Sequence, residues 1–177
     1  MDCERSGRHT RKTALTVAGS DSAGGAGIQA DIKAMEACGV HGTCVITAVT
    51  AQNTMKVSEI FPVPKNMILT QFESVLSDFD IGAVKTGMLY SPEIVSTVAD
   101  VLKNVDVPLV IDPVMVAGVG GSLSGKGLAE AIIDDLLPLG WLVTPNRLEA
   151  ETLAGIPIRT EDDAVEVCER IGKMCPV

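Results

Sequence analysis

The chain of 177 residues has a formal net charge of −9, which excludes a broad electrostatic footprint for nucleic acid or an anionic membrane. It is 46% hydrophobic but only 3% aromatic, so Val, Ile, Leu and Ala fill its interior, as in a parallel sheet buried between helices rather than a sandwich. The length fits one domain, and Cys3, Cys38, Cys44, Cys168 and Cys175, with no Cys-x-x-Cys spacing and no pairing with His9 or His41, read as free thiols rather than zinc ligands.

Residues 1–12 are polar, lack the apolar segment of a signal peptide, and are expected to be a disordered tail before a single domain over 13–177. No run reaches transmembrane length, so no membrane partner is expected, and the cytoplasm is the expected compartment. Residues 13–18 read as a buried strand, and the stretch Gly19-Ser-Asp-Ser-Ala-Gly-Gly-Ala-Gly-Ile-Gln-Ala-Asp31 turns it into a helix over 26–38. A second strand covers 41–50, and 57–63, closed by Pro62 and Pro64, reads as an edge or lid strand. Met67, Ile68, Phe72, Val75 and Leu76 predict a helix over 64–77. A strand follows at 81–86, and Ser91-Pro92-Glu93 opens a helix with a cap and a first-turn proline. Leu109-Val-Ile-Asp112 is a short strand, 126–137 a helix and 141–144 another strand. Asn146 starts a helix stopped by Gly155 and Pro157, and Thr160 caps a last one reaching about residue 174. This alternation predicts an α/β fold, a three-layer α/β/α sandwich with a mainly parallel central sheet.

The glycine-rich strand-to-helix turn is expected to expose backbone N–H groups at the positive end of a helix dipole, which suits a phosphate or a polar ring. At about 100° per residue, Ile28, Ile32 and Met35 form the apolar stripe of that helix and Asp31 falls beside it. A carboxylate turned toward the core is costly without a partner. Asp31 therefore reads either as a tie to neighbouring backbone or as a carboxylate awaiting a ligand donor.

Two nucleotide fingerprints nearly match and are rejected. Gly25-Ala-Gly27-Ile-Gln-Ala30 fits G-x-G-x-x-A, but the second strand ends Val49-Thr50-Ala51-Gln52 without the acidic residue that a dinucleotide ribose needs. Gly120-x4-Gly125-Lys126 imitates a P-loop, but Gly127 stands where a Ser or Thr should meet Mg²⁺. Position is the better guide, because open parallel sheets bind ligands at the carboxyl ends of their strands. Those ends here are Gly19 to Asp21, Gln52-Asn53-Thr54, Lys85-Thr86-Gly87-Met88, Asp112-Pro-Val114 and Thr144-Pro-Asn146, which gathers polar groups at one edge of an apolar sheet and predicts a cleft there. Plain alternatives exist: a turn at Gln52-Asn53-Thr54, a capping box for Asn146 with Glu149, and a loop cap for Asp112. The uncharged, glycine-rich loop 113–124 reads as either a lid or an ordinary connection.

Five segments carry a resemblance: Ala18-Gly-Ser-Asp-Ser-Ala-Gly-Gly-Ala-Gly-Ile-Gln-Ala-Asp-Ile-Lys33, Val45-Ile-Thr-Ala-Val-Thr-Ala-Gln-Asn-Thr54, Lys85-Thr-Gly-Met-Leu89, Val110-Ile-Asp-Pro-Val-Met115 and Thr144-Pro-Asn-Arg-Leu-Glu149. From about Ala14 onward the chain resembles the hydroxymethylpyrimidine/phosphomethylpyrimidine kinases of thiamine biosynthesis, in the ribokinase-like superfamily. The resemblance implies phosphorylation of 4-amino-5-hydroxymethyl-2-methylpyrimidine and its monophosphate, using ATP and Mg²⁺. It implies that Asp31 and Gln52 hold the pyrimidine ring, with Gly19, Met88 and Val114 lining its pocket. Asp112, Asn146 and Glu149 would lie near the ATP phosphates and Mg²⁺, organising the metal through water rather than binding it directly.

Members of that family continue past the point where this sequence ends, into a strand ending Lys-Gly-Gly-His and a Gly-Thr-Gly turn followed by Cys or Asp. Their absence implies a C-terminally truncated domain whose catalytic residue lies beyond Val177 and whose own turnover is poor. An ending here would also leave an unpaired sheet edge that invites aggregation or a homodimer. The rival readings are a pyridoxal-type kinase of the same superfamily and a non-catalytic pyrimidine sensor or partner subunit.

Overall fold

Six strands form one sheet in the order β3-β2-β1-β4-β5-β6. They are β1 (Thr13–Asp21), β2 (His41–Gln52), β3 (Val57–Pro62), β4 (Ile81–Thr86), β5 (Leu109–Ile111) and β6 (Leu142–Val143). The computed structural model describes residues 11–115 and 127–175; most of the expected tail, residues 116–124 of the glycine-rich loop and most of the P-loop mimic lie outside them. All pairings are parallel except that of β2 with β3, whose proline-closed strand occupies the outer edge as its composition predicts.

The connecting helices are α1 (Gly27–Ala37), α2 (Lys65–Leu76), α3 (Pro92–Leu102), α4 (Leu128–Ala131), α5 (Arg147–Ala154) and α6 (Glu161–Gly172). Beyond α4 the predicted single helix instead widens into a π turn over Ile132–Leu136 and tightens into a 3₁₀ turn over Leu137–Leu139. Pro138 has no N–H to continue it. The predicted caps are present: Ser91 accepts the Ile94 N–H, and Thr160 forms a reciprocal box with Asp163. Gly155 ends α5 in the left-handed conformation at φ 67°.

Alternation along β1 fixes the layers. Leu15 and Val17 are fully buried in the main core, which also takes Ile68 and Phe72 of α2 and Val95 and Val98 of α3. Thr16, between them, points to the other face and meets Asp31 of α1. Helices thus cover both faces of the sheet. Each fully buried Leu, Val or Phe contributes roughly 1.5–3 kcal/mol, so the β1 side chains are a principal anchor of the α2–α3 layer. On the opposite face, a Cβ at Gly42 of β2 would lie 3.2 Å from Met35 Sδ and 3.3 Å from Ile32 Cα, so the apolar stripe of α1 packs close against bare backbone. Among the described residues no helix is long and apolar enough to cross a membrane.

Candidate active site

The carboxyl ends of β1, β2, β4 and β5 surround a cleft of about 270 Å³. That is near the lower end of small-molecule sites and suits one substituted ring. Gly19, Asp31, Gln52, Met88 and Val114 all line it, together with Asp112, while Val57 and Ile60 of β3 add an apolar wall. Asn146 and Glu149 do not reach this lining.

Gly19 lies where the pairing of β1 with β2 slips between Ala18 and Ser20, a bulge that bends the strand end. A Cβ there would come 2.3 Å from the Met88 methyl, so the bare backbone makes room for that side chain. The following loop is organised by Asp21, which the sequence placed at the strand end without giving it a role. The residue is 5% exposed, and its carboxylate accepts the N–H groups of Ala23 at 2.8 Å, Gly25 at 3.0 Å and Ala26 at 2.9 Å. The expectation that this turn offers free N–H donors to a ligand is thereby corrected at those three positions: the anion at the start of α1 is the chain's own Asp21. The signal was available, since Asp two residues before a loop N–H is the pattern of an Asx turn. Gln29 completes the lock, accepting the Asp21 N–H at 2.9 Å and donating to Ser20 Oγ at 2.7 Å.

Gln52 is set by its backbone, which exchanges two hydrogen bonds with the Ser22 hydroxyl at 2.7 and 2.8 Å. Asn53 beside it is a turn residue, its Oδ1 accepting from the N–H groups of Met55 and Lys56.

Asp31 is not an unpartnered carboxylate. Lys85 Nζ lies 3.0 Å from both of its oxygens, and the Thr16 hydroxyl donates to Oδ2 at 2.6 Å. The partners are side chains, not the neighbouring backbone of the plain reading. Lys85 Nζ also lies 3.3 Å from Asp112 Oδ2, joining the two carboxylates through one ammonium. Lys85 was counted among the strand-end polar groups but given no role, although a lysine inside the apolar strand Ile81-Gly-Ala-Val-Lys-Thr86 demands a partner for the same reason as Asp31.

Asn146 and Glu149 form the capping box of α5, with Glu149 N–H donating to Asn146 Oδ1 at 3.0 Å and Asn146 N–H to Glu149 Oε2 at 2.9 Å. Glu149 is nonetheless unusual for a cap. It is buried, and burial, reinforced by the negative charge of Asp112, pushes its carboxyl above the ordinary glutamate range against the pull of the Asn146 and Met115 N–H groups. No cluster of three or more metal-ligating side chains occurs among the described residues.

A family model described as phosphomethylpyrimidine kinase matches residues 21–177. A hydroxymethylpyrimidine/phosphomethylpyrimidine kinase of Streptomyces coelicolor is 48% identical over 149 residues, covering 84% of this chain and 55% of its own length. The crystal structure of a phosphomethylpyrimidine kinase from Clostridium difficile superposes with a TM-score of 0.87 at 44% identity, covering 94% of this chain and 72% of that one. A pyridoxal kinase from Staphylococcus aureus in complex with pyridoxal gives 0.85 at 33% identity, covering 94% and 62%. The chain thus spans little more than half the length of the Streptomyces relative.

Proposed function

Starting from a chain that belongs to the phosphomethylpyrimidine kinase family, we propose that it binds 4-amino-5-hydroxymethyl-2-methylpyrimidine and serves the ATP-dependent phosphorylation of that ring and of its monophosphate. The observation that carries this reading is the convergence of Gly19, Asp31, Gln52, Met88 and Val114, drawn from different strand ends and α1, on one ring-sized cleft. Asp31 and Gln52 supply polar atoms for the amino group and ring nitrogens. Met88, Val114, Val57 and Ile60 supply the apolar walls that exclude water and strengthen those bonds.

Asp112 and Glu149 fit the neighbourhood of a hydrated Mg²⁺ as hard oxygen donors acting through its water, since the carboxylates present are too few for a direct cage. Bound there with ATP, the metal would offset the phosphate charge. Asn146 serves this arrangement by fixing the Glu149 carboxylate from the cap of α5. Among the described residues we assign no group to take the proton of the substrate hydroxyl. The cytoplasm remains the compartment we infer.

A pyridoxal-type kinase is the second reading, favoured by the structural likeness to a pyridoxal kinase at 33% identity. Isothermal calorimetry of the chain with each ring separates the two. Tighter binding of the aminopyrimidine supports the first reading, and preference for pyridoxal overturns it.

A further inference from the structure

We infer that Lys85 is the specificity-determining positioning residue of this cleft: it orients Asp31 so that only one acceptor site remains for a ligand, and that site demands a hydrogen-bond donor. The inference rests on the pyrimidine reading and names the residue that enforces it. β1 and β4 pair in register with Thr16 opposite Lys85, so both side chains rise on the α1 face beneath Asp31. A carboxylate offers about four lone-pair sites. Lys85 occupies one on each oxygen and Thr16 a second on Oδ2, which leaves one on Oδ1.

The ammonium is held in turn by carboxylates. It hydrogen-bonds both Asp31 oxygens and forms an ion pair with Asp112 Oδ2 at 3.3 Å, so its charge is committed to the chain's own carboxylates. It is the one cationic side chain among the described residues lining the cleft, against the carboxylates of Asp21, Asp31 and Asp112. Gly87 leaves room for the ammonium: a Cβ there would lie 3.1 Å from Lys85 Nζ and 3.0 Å from Ala18 Cβ. A ring with an exocyclic amine satisfies the remaining Asp31 site. A ring presenting a carbonyl or an oxyanion at that point meets a lone pair and is rejected.

The test compares the wild-type chain, Lys85→Met and Lys85→Arg in calorimetric binding of 4-amino-5-hydroxymethyl-2-methylpyrimidine and its 4-oxo counterpart, with circular dichroism and a melt for each protein. Lys85→Met is expected to bind the amino ring about 10- to 100-fold more weakly, the loss of a bond to a charged group, and to lose most of the amino-over-oxo preference; Lys85→Arg recovers part of both. Folded Lys85→Met that keeps affinity within about threefold and the full preference, well short of that loss, overturns the inference while leaving the pyrimidine reading intact. A wild-type chain that binds neither ring refutes that reading and the inference with it. Should Lys85→Met fail to fold, Lys85→Gln, which removes the charge but can still donate to one Asp31 oxygen, takes its place; affinity within about threefold and the full amino preference in that variant also overturn the inference.

Discussion

Asp21 is expected to hold the cleft's glycine-rich loop more strongly than any other single side chain there. Removing its carboxylate deletes three charge-assisted bonds to backbone N–H groups at 2.8, 3.0 and 2.9 Å. At about 1.5–3 kcal/mol each, the ceiling is about 5–9 kcal/mol. The true loss is smaller, because Ala23, Gly25 and Ala26 are exposed and water can replace the acceptor. About 2–4 kcal/mol is the expected destabilisation for Asp21→Ala, a large share of the roughly 5–15 kcal/mol that a domain commands. Asp21→Asn should lose less: its amide oxygen can still serve Gly25 and Ala26, which share Oδ2, but its NH2 group turns a donor toward the Ala23 N–H. Urea titrations give the free energies, and hydrogen exchange should show residues 22–27 losing protection in both variants. A change below about 0.5 kcal/mol for Asp21→Ala, the range of an ordinary surface substitution, would refute the assignment of this loop's order to the carboxylate.

Glycine replacements should separate conformational cost from steric cost. Gly27 has φ 56° and a Cβ there would lie 2.2 Å from the Gly19 carbonyl oxygen, so Gly27→Ala must move backbone and is expected to cost about 3 kcal/mol or more. Gly155 has φ 67° with nothing within 4 Å, so Gly155→Ala should cost only about 1 kcal/mol; thermal melts giving the reverse order would contradict this account. For Glu149, burial raises the folded-state pKa, so its contribution to stability is fully present below the unfolded glutamate pKa and is lost as pH rises through the raised value. Glu149→Gln, which keeps an acceptor for the Asn146 N–H, should therefore melt higher than wild type at neutral pH. That advantage should shrink on acidification, and one that grows toward low pH would show the sign to be wrong.

The sheet was legible because the strands are mostly apolar runs and several helices carry their own start and stop residues, as at Ser91, Thr160 and Gly155. The cleft was legible by position, since strand ends of a parallel sheet must converge. What periodicity could not supply was the pairing across faces. It placed Asp31 beside the apolar stripe of α1 but not against Lys85, because the alignment of β1 with β4 depends on the register of non-consecutive strands. Local competition was the other blind spot. The loop's N–H groups looked available to a ligand only because Asp21, within the same motif, was not counted as their acceptor. At Asn146 and Glu149 the capping pattern was readable and is present, whereas the burial of Glu149 comes from packing that no local pattern records.

The bond between Asp31 and Lys85 joins residues 54 positions apart. Closing a flexible loop of that length costs about 3.5 kcal/mol of chain entropy by the logarithmic rule. Folding bears that cost when β1 and β4 pair, before any ligand arrives. An incoming ring therefore gives up its own translational and rotational freedom but need not order the carboxylate that receives it. Affinity in such a cleft is sensitive to the topology of the sheet as well as to the atoms that touch the ring. A substitution that loosens the register of β1 against β4, far from the ligand, would return part of that ordering cost to the binding step.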